Sequence, residues 1–209
     1  QIFPEASIIT ISKQNFKEYT TIDQRILDGF EGGKISIQTF SDILRFNLLK
    51  NYGGLWVVAT IYFLKPYPIF DMLEKKSYES LAFKDTSEFL TYMGSKCSWS
   101  SYLQAARKGA ALVETMDNIF QKYYLQYGDY EIYFFIDAAL MICKIMGIDD
   151  RVLDKVNYCE GSAFALSKIL DQPYDEEVMK DLERIPQKLY WWYKDKSDSE
   201  NTFFKQLIT

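Results

Sequence analysis

An apolar run that follows two glycines is the feature that most constrains this chain. Residues 55–64 read LWVVATIYFL, a stretch dense in β-branched and aromatic side chains. This composition predicts a strand covered on both faces, as in a sheet flanked by helices. The preceding residues 37–51 carry apolar side chains at helical spacing, namely Phe40, Ile43, Leu44 and Leu48. The sequence therefore predicts a half-buried helix, a stop at Gly53-Gly54, and then a buried strand.

The remaining predicted elements are shorter. Strands are predicted at residues 6–12, 80–84 and 99–106, and helices at residues 15–19, 22–30, 110–127, 130–146, 150–158 and 175–183. Strands early in the chain and helices late in it predict an α/β fold with a largely helical C-terminal half. The length of 209 residues fits a single domain.

Composition excludes several classes of function. Histidine is absent, which rules out a histidine base or metal ligand. The formal net charge of -5 disfavours nucleic acid as a partner. The three cysteines lack zinc-site spacing and favour a reducing cytoplasm. The first residues lack the pattern of a signal peptide, and Asp137 and Lys144 interrupt the most apolar later run, so we expect a cytoplasmic protein without a membrane span.

Two acidic positions are candidates for chemistry. Asp42 and Arg45 lie three residues apart on one face of the predicted helix, as either a surface ion pair or a covered pair at a ligand site. Asp137 lies within an apolar helix, where an acid is costly unless it is paired, exposed to water or functional.

Residues 188–196, KLYWWYKDK, interleave bases with aromatic rings. This pattern is compatible with a diphosphate-binding tail, an acceptor platform or a peripheral membrane contact. It is also compatible with an amphipathic segment that packs its rings on the core, which we favour for Trp191 and Trp192.

Several short phrases share one pattern. The specific part is Phe40-Ser41-Asp42-Ile43-Leu44-Arg45, Leu48-Leu49 and Tyr52-Gly53-Gly54-Leu55-Trp56. It resembles the bacterial capsular-polysaccharide-synthesis glycosyltransferases, relatives of the DXD-containing sugar-binding transferases with the A-type glycosyltransferase fold. Supporting phrases extend the resemblance over nearly the whole chain: Gly33-Lys34-Ile35, Ala105-Ala106-Arg107-Lys108-Gly109, Phe134-Phe135-Ile136-Asp137, Lys188-Leu189 and Thr202-Phe203-Phe204.

The resemblance implies a Rossmann-like sheet, a nucleotide-sugar donor, a divalent cation (manganese or magnesium) and a glycan or lipid-linked oligosaccharide acceptor at the inner face of a bacterial membrane. By position, Asp42 would touch the donor's sugar or ribose and Arg45 would support it. Asp137 would be the catalytic residue that faces the acceptor or the reacting carbon. The remaining donor-binding positions are Gly53 and Gly54, which would let the chain turn close to the donor, and Thr60, Ser101 and Lys188.

The chain departs from the family pattern in three places. Val58 stands where the family has the metal-binding aspartate of a Trp-Val-Asp-Ala-Thr phrase. Ser101-Tyr102 stands where it has an Asn-Trp pair. The family's opening nucleotide-binding strand and turn have no counterpart, so we expect that this part is missing.

Three hypotheses follow. The first is a working glycosyltransferase with a weakened metal site, in which Lys188, Lys194 or Arg107 partly replaces the metal's charge. The second is a degenerate relative that binds a donor, a glycan or a partner enzyme without turnover. The third, a plain helical interaction module, is disfavoured by the match around Asp42.

Overall fold

The fold combines helices with small sheets, which confirms the predicted α/β class. The computed structural model describes residues 3–4, 6–83, 99–128, 130, 134–190, 193–194 and 199–208. The helices are α1 (Phe16–Tyr19), α2 (Gln24–Glu31), α3 (Ile37–Tyr52), α4 (Ile69–Leu73), α5 (Ala111–Tyr127), α6 (Phe135–Ile145), α7 (Ile148–Arg151), α8 (Ala165–Ile169), α9 (Glu176–Leu182) and α10 (Phe203–Ile208), with a 3-10 turn at Val152–Asp154. The strands are β1 (Gly54–Val57), β2 (Ile61–Tyr62), β3 (Tyr78–Ser80), β4 (Ala82–Phe83), β5 (Leu103–Ala106), β6 (Tyr158–Cys159) and β7 (Gln187–Lys188).

Helix α3 forms where the apolar spacing predicts it, and local chemistry sets both of its ends. The Ser36 side chain accepts a hydrogen bond from the Thr39 N–H at the start. Gly53 ends the helix with a positive φ of 70°. The buried face of α3 packs on α5, where the Phe46 and Phe120 rings stack 5.9 Å apart. These contacts form the centre of the larger hydrophobic core.

A buried polar network also ties α3 to α5. The Asp117 carboxylate accepts a hydrogen bond from Asn47 Nδ2 at 2.9 Å and one from Gln121 Nε2 at 2.8 Å. Lys50 completes an ion pair with the same carboxylate. Because Asp117 is only 1% exposed, these partners are what make its burial tolerable.

The main sheet is antiparallel with strand order β1-β5-β3. Trp56 pairs with Gln104, which pairs with Ser80 on its other side. One face of the sheet packs on the helices through Trp56, Tyr78 and Ala106, whereas the opposite face contacts a second cluster that contains Leu103 and Ala105. The sheet therefore lies between a helical layer and the segment around α4, and its register decides which side chains face α3.

The predicted single strand over residues 55–64 is wrong. The run is divided into β1 and β2 by a turn at Ala59-Thr60, and most of its side chains are only half-buried. The reason is pairing: β1 joins the main sheet through β5, whereas β2 pairs with β7 in a separate two-stranded sheet.

The predicted strand at residues 6–12 is also wrong. These residues form no ladder within the described part of the chain, and Ile8 and Ile9 are 70% and 55% exposed. The backbone of Ser12 bonds instead to the Asn15 side chain at 2.8 Å, which makes a local turn.

Other boundaries shift because short elements depend on distant partners. The predicted helix at 150–158 divides into the end of α7, a 3-10 turn and β6. The helix predicted at 130–146 is observed as α6, which begins at Phe135 after the N-cap residue Phe134, and residues 131–133 lie outside the described residues. The strand predicted at 80–84 spans the end of β3 and then β4, and Lys84 lies outside the described residues. The sequence pattern missed α4, α8, α10 and β7, each of seven residues or fewer.

Candidate functional site

The Asp42–Arg45 pair lies on the sheet side of α3 and is covered. Arg45 Nη1 is 2.9 Å from Asp42 Oδ1, with side-chain exposures of 3% for Arg45 and 17% for Asp42. Burial raises the pKa of Asp42, and the Arg45 charge opposes that rise. Burial also lowers the pKa of Arg45, which nevertheless stays charged because arginine titrates so far above neutrality. The pair thus presents one partly exposed carboxylate backed by a buried guanidinium.

Buried polar atoms without hydrogen-bond partners surround this pair. The Arg45 guanidinium lies over the Trp56 ring, 5.4 Å from its centroid. Its Nη1 has the Asp42 carboxylate as a charged partner at 2.9 Å. In the described part of the chain, other buried side-chain atoms lack a hydrogen bond, namely Arg45 Nε, Trp56 Nε1, Tyr78 Oη, Ser100 Oγ and Gln104 Oε1.

These atoms belong to one neighbourhood. Trp56 and Gln104 are cross-strand partners, Gln104 Nε2 donates to the Ser100 carbonyl at 2.8 Å, and Tyr78 lies on β3 close enough to Arg45 to influence its pKa. Leaving a buried polar group unsatisfied costs about 1–3 kcal/mol. A folded protein tolerates so many in one place when water or a ligand completes the bonds.

Asp137 lies in the first turn of α6 and is 9% exposed. Its Oδ1 accepts a hydrogen bond from Trp99 Nε1 at 2.8 Å. Trp99 precedes Ser100, so contacts run from Asp137 through residues 99–100 and Gln104 to the sheet beside Arg45. That Asp137 and Asp42 share one cleft stays a prediction.

The two glycines differ in what surrounds them. A Cβ on Gly53 would lie 2.6 Å from the Lys108 nitrogen, whereas a Cβ on Gly54 would meet nothing within 4 Å, and both residues have positive φ. Gly53 is therefore required by the close approach of its own chain to the turn after β5. A contact of either glycine with a donor stays a prediction.

The turn that follows β1 brings Thr60 and Lys188 together. Lys188 Nζ donates to Thr60 Oγ1 at 2.6 Å and to the Leu189 carbonyl at 3.0 Å. Burial lowers the pKa of Lys188. Ser101 lies beside this turn, because the carbonyl of the adjacent Tyr102 accepts a hydrogen bond from the Val58 N–H at 3.0 Å. The Ser101 side chain is exposed.

This turn does not fit a divalent cation. Manganese and magnesium prefer charged oxygen ligands, but Val58 offers an aliphatic side chain and the Thr60 hydroxyl already holds an ammonium. Among the residues that the structure describes, no three Asp, Glu or Cys side chains group to hold a metal ion.

Two other expected sources of positive charge differ in availability. Arg107 donates its guanidinium N–H groups to the carbonyls of Leu73 and Glu74 at the end of α4, so its role is structural. Lys194 is exposed. Trp191 and Trp192 lie outside the described residues, but Tyr190 and Tyr193 line an apolar pocket of about 260 Å³ next to Leu189.

Sequence reasoning missed the polar residues of the sheet. Tyr78, Ser80, Ser100 and Gln104 contribute to the neighbourhood of Arg45, and Trp99 contributes to that of Asp137. Gln104 could have indicated this polar neighbourhood from the sequence, since it is a polar residue inside a short and otherwise apolar strand.

Comparison with known families decides the relationship. The family model described as capsular polysaccharide synthesis protein matches residues 1–207. The chain belongs to this family. Its membership connects it with capsular polysaccharide synthesis. No curated protein and no solved structure matches the chain. Within the described residues of this family member, no helix is long and apolar enough to cross a membrane.

Proposed function

We propose that this protein is a glycosyltransferase that moves a sugar from a nucleotide-sugar donor to a capsular or surface polysaccharide acceptor, either a glycan or a lipid-linked oligosaccharide. Membership of the capsular polysaccharide synthesis family supports the biological setting. We extend the proposal to an A-type sheet frame and to action at the inner face of a bacterial membrane.

The observation that carries the proposal is the covered Asp42–Arg45 pair among unpaired polar groups. A carboxylate accepts hydrogen bonds from sugar or ribose hydroxyls, and Asp42 retains 17% exposure for such a contact. Arg45 is too buried to meet bulk water, and its charge opposes the rise that burial imposes on the pKa of Asp42. Unpaired groups on Trp56, Tyr78 and Gln104 would add donors and acceptors beside it.

Asp137 is assigned to the acceptor side or to the reacting carbon. Its carboxylate is oriented by the Trp99 indole N–H, and a carboxylate so placed is a candidate base for a hydroxyl of the acceptor. In this role Asp137 would accept the proton that the acceptor hydroxyl loses as its oxygen bonds to the anomeric carbon of the donor sugar, while the bond from that carbon to the phosphate oxygen breaks and the nucleotide leaves with the electron pair.

A panel of nucleotide-sugars, with mass-spectrometric detection and in parallel with manganese or chelator, tests the proposal. We expect at least one donor to bind and to be turned over in the presence of a glycan or lipid-linked acceptor. Asp42→Asn should weaken binding of that donor by about 1–3 kcal/mol, roughly fivefold to 150-fold, without unfolding the protein.

The chain offers a matched control for that variant. Asp181 and Arg184 form an Asp–Arg pair with the same three-residue spacing at 3.0 Å, but their side chains are 74% and 75% exposed. Asp181→Asn should leave donor binding unchanged. Equal effects of the two substitutions, or unchanged affinity in Asp42→Asn, would reduce Asp42 to a structural member of an ion pair.

Val58 favours one alternative: a degenerate family member that binds a donor, a glycan or a partner enzyme without transfer. Its aliphatic side chain occupies the position at which the family pattern has an acid. Donor binding without any product, across all metals and acceptors tried, would select this alternative over the enzyme.

A further inference from the structure

We propose that the Lys188 ammonium takes the place of a divalent cation and binds the diphosphate of the donor at the turn after β1. This inference rests on the proposed function, because it assigns that turn to the donor site. It names the group that recognises the donor's charged part, and it predicts recognition without metal.

The position of Lys188 is built by pairing of distant segments. Strand β7 is antiparallel to β2, with Lys188 opposite Ile61. The Leu189 N–H donates to the Thr60 carbonyl at 2.8 Å, which extends the pairing to the turn itself. Lys188 Nζ is thereby held 2.6 Å from the Thr60 hydroxyl, two residues beyond Val58.

The hydrogen-bond acceptors of the Lys188 ammonium are neutral oxygen atoms. Its hydrogen bonds go to a hydroxyl and a carbonyl, and among the described residues no carboxylate pairs with it. The comparably covered Lys50 and Lys76, with side chains 27% and 11% exposed, each have a carboxylate, from Asp117 and Glu79 respectively. Lys188 is thus a half-buried positive charge without a counter-ion in this part of the chain.

Charge logic then points to an anionic ligand. A partly desolvated ammonium is stabilised when a negative group approaches, and the ammonium of Lys188 is partly desolvated, since burial lowers its pKa. An ammonium meets phosphate as a compact point charge with three N–H donors. Two of them are used by Thr60 and Leu189, which leaves one for a phosphate oxygen.

Inorganic pyrophosphate and a set of nucleoside diphosphates are suitable probes, measured by isothermal titration in EDTA. We expect binding of a nucleoside diphosphate without metal. Lys188→Gln should weaken it about tenfold or more, because a charge-assisted hydrogen bond is lost, and Lys188→Arg should retain much of it. The control is Lys168→Gln, which removes an exposed lysine from α8, the helix that packs on β7.

The outcomes separate this inference from the proposed function. Donor binding that requires manganese and is indifferent to Lys188→Gln would overturn the inference but leave sugar transfer intact. Absence of binding for every nucleoside diphosphate and nucleotide-sugar, with and without manganese, would overturn both. Metal-free binding that depends on the charge of Lys188, with no sugar transfer, supports the inference and selects the non-catalytic alternative.

If Lys188→Gln does not fold, Lys188→Arg decides the question by a second measurement. Pyrophosphate in EDTA should then raise the melting temperature of the wild type and of Lys188→Arg, because a ligand that binds the folded state stabilises it. No shift in either protein would overturn the inference.

Discussion

Gly53→Ala should be among the most destabilising single substitutions at the glycine turn. Gly53 has φ 70° and ψ -158°, a region that is essentially restricted to glycine and costs other residues about 1–3 kcal/mol. The added Cβ would also lie 2.6 Å from the Lys108 nitrogen and 3.1 Å from the Ala106 oxygen. Both contacts are with backbone, so no side-chain rotation can relieve them.

The expected loss of stability is the sum of the backbone strain and the steric clash of the added Cβ. Overpacking against fixed neighbours costs about 1–3 kcal/mol, which brings the expected loss for Gly53→Ala to about 2–6 kcal/mol. This is a large part of the roughly 5–15 kcal/mol that stabilises a typical domain. Gly54→Ala is the matched control, since Gly54 has φ 89° but open space around its Cβ position, so it should lose only the strain term.

Urea denaturation followed by far-UV circular dichroism measures the difference. We expect Gly53→Ala to have the lower midpoint, with a gap of about 1–3 kcal/mol relative to Gly54→Ala at an unchanged slope. Equal losses in the two variants would refute the argument that close backbone approach, rather than φ alone, requires Gly53.

Three further predictions concern single side chains. Asp137→Asn should reduce sugar transfer far more than donor affinity, because the amide oxygen still accepts from Trp99 while the base is lost; equal reductions in turnover and donor affinity would contradict an acceptor-side role. Val58→Asp should lower the free energy of unfolding in chelator by roughly 1–3 kcal/mol, seen as a lower melting temperature, and manganese with donor should restore it. A variant whose melting temperature does not respond to metal would mean that position 58 is not the lost ligand. Cys143 should resist alkylation by iodoacetamide at pH 8 until the protein unfolds, since burial raises the pKa of its thiol to about 11. The measurement uses a Cys97→Ser background, because Cys97 lies outside the described residues. Because that folded pKa exceeds the unfolded value of 9.0, the thiol's contribution to stability is complete below pH 9.0 and is lost as the pH rises toward 11. Rapid alkylation of the native protein would disprove the burial argument.

The sequence alone determined the parts of this protein that local chemistry controls. Helix α3 and its glycine stop follow from apolar spacing, a serine cap and a residue able to adopt positive φ. The same helix puts Asp42 and Arg45 on one face, because residues three apart on a helix are neighbours whatever surrounds them. The family pattern around Asp42 and Arg45 was visible in the sequence because its specific part lies within one short segment, residues 40–56.

Tertiary structure alone decided how that helix is used. The apolar run at 55–64 carries no signal that its halves belong to two different sheets, because apolar composition reports burial and not the identity of the pairing strand. Lys188 meets Thr60 across 128 residues, and Asp137 meets Trp99 across 38 residues. Such contacts depend on the path of the whole chain, so periodicity within a short window contains no record of them. The unpaired polar atoms around Arg45 likewise result from strand register, which places Gln104 and Trp56 side by side beneath α3.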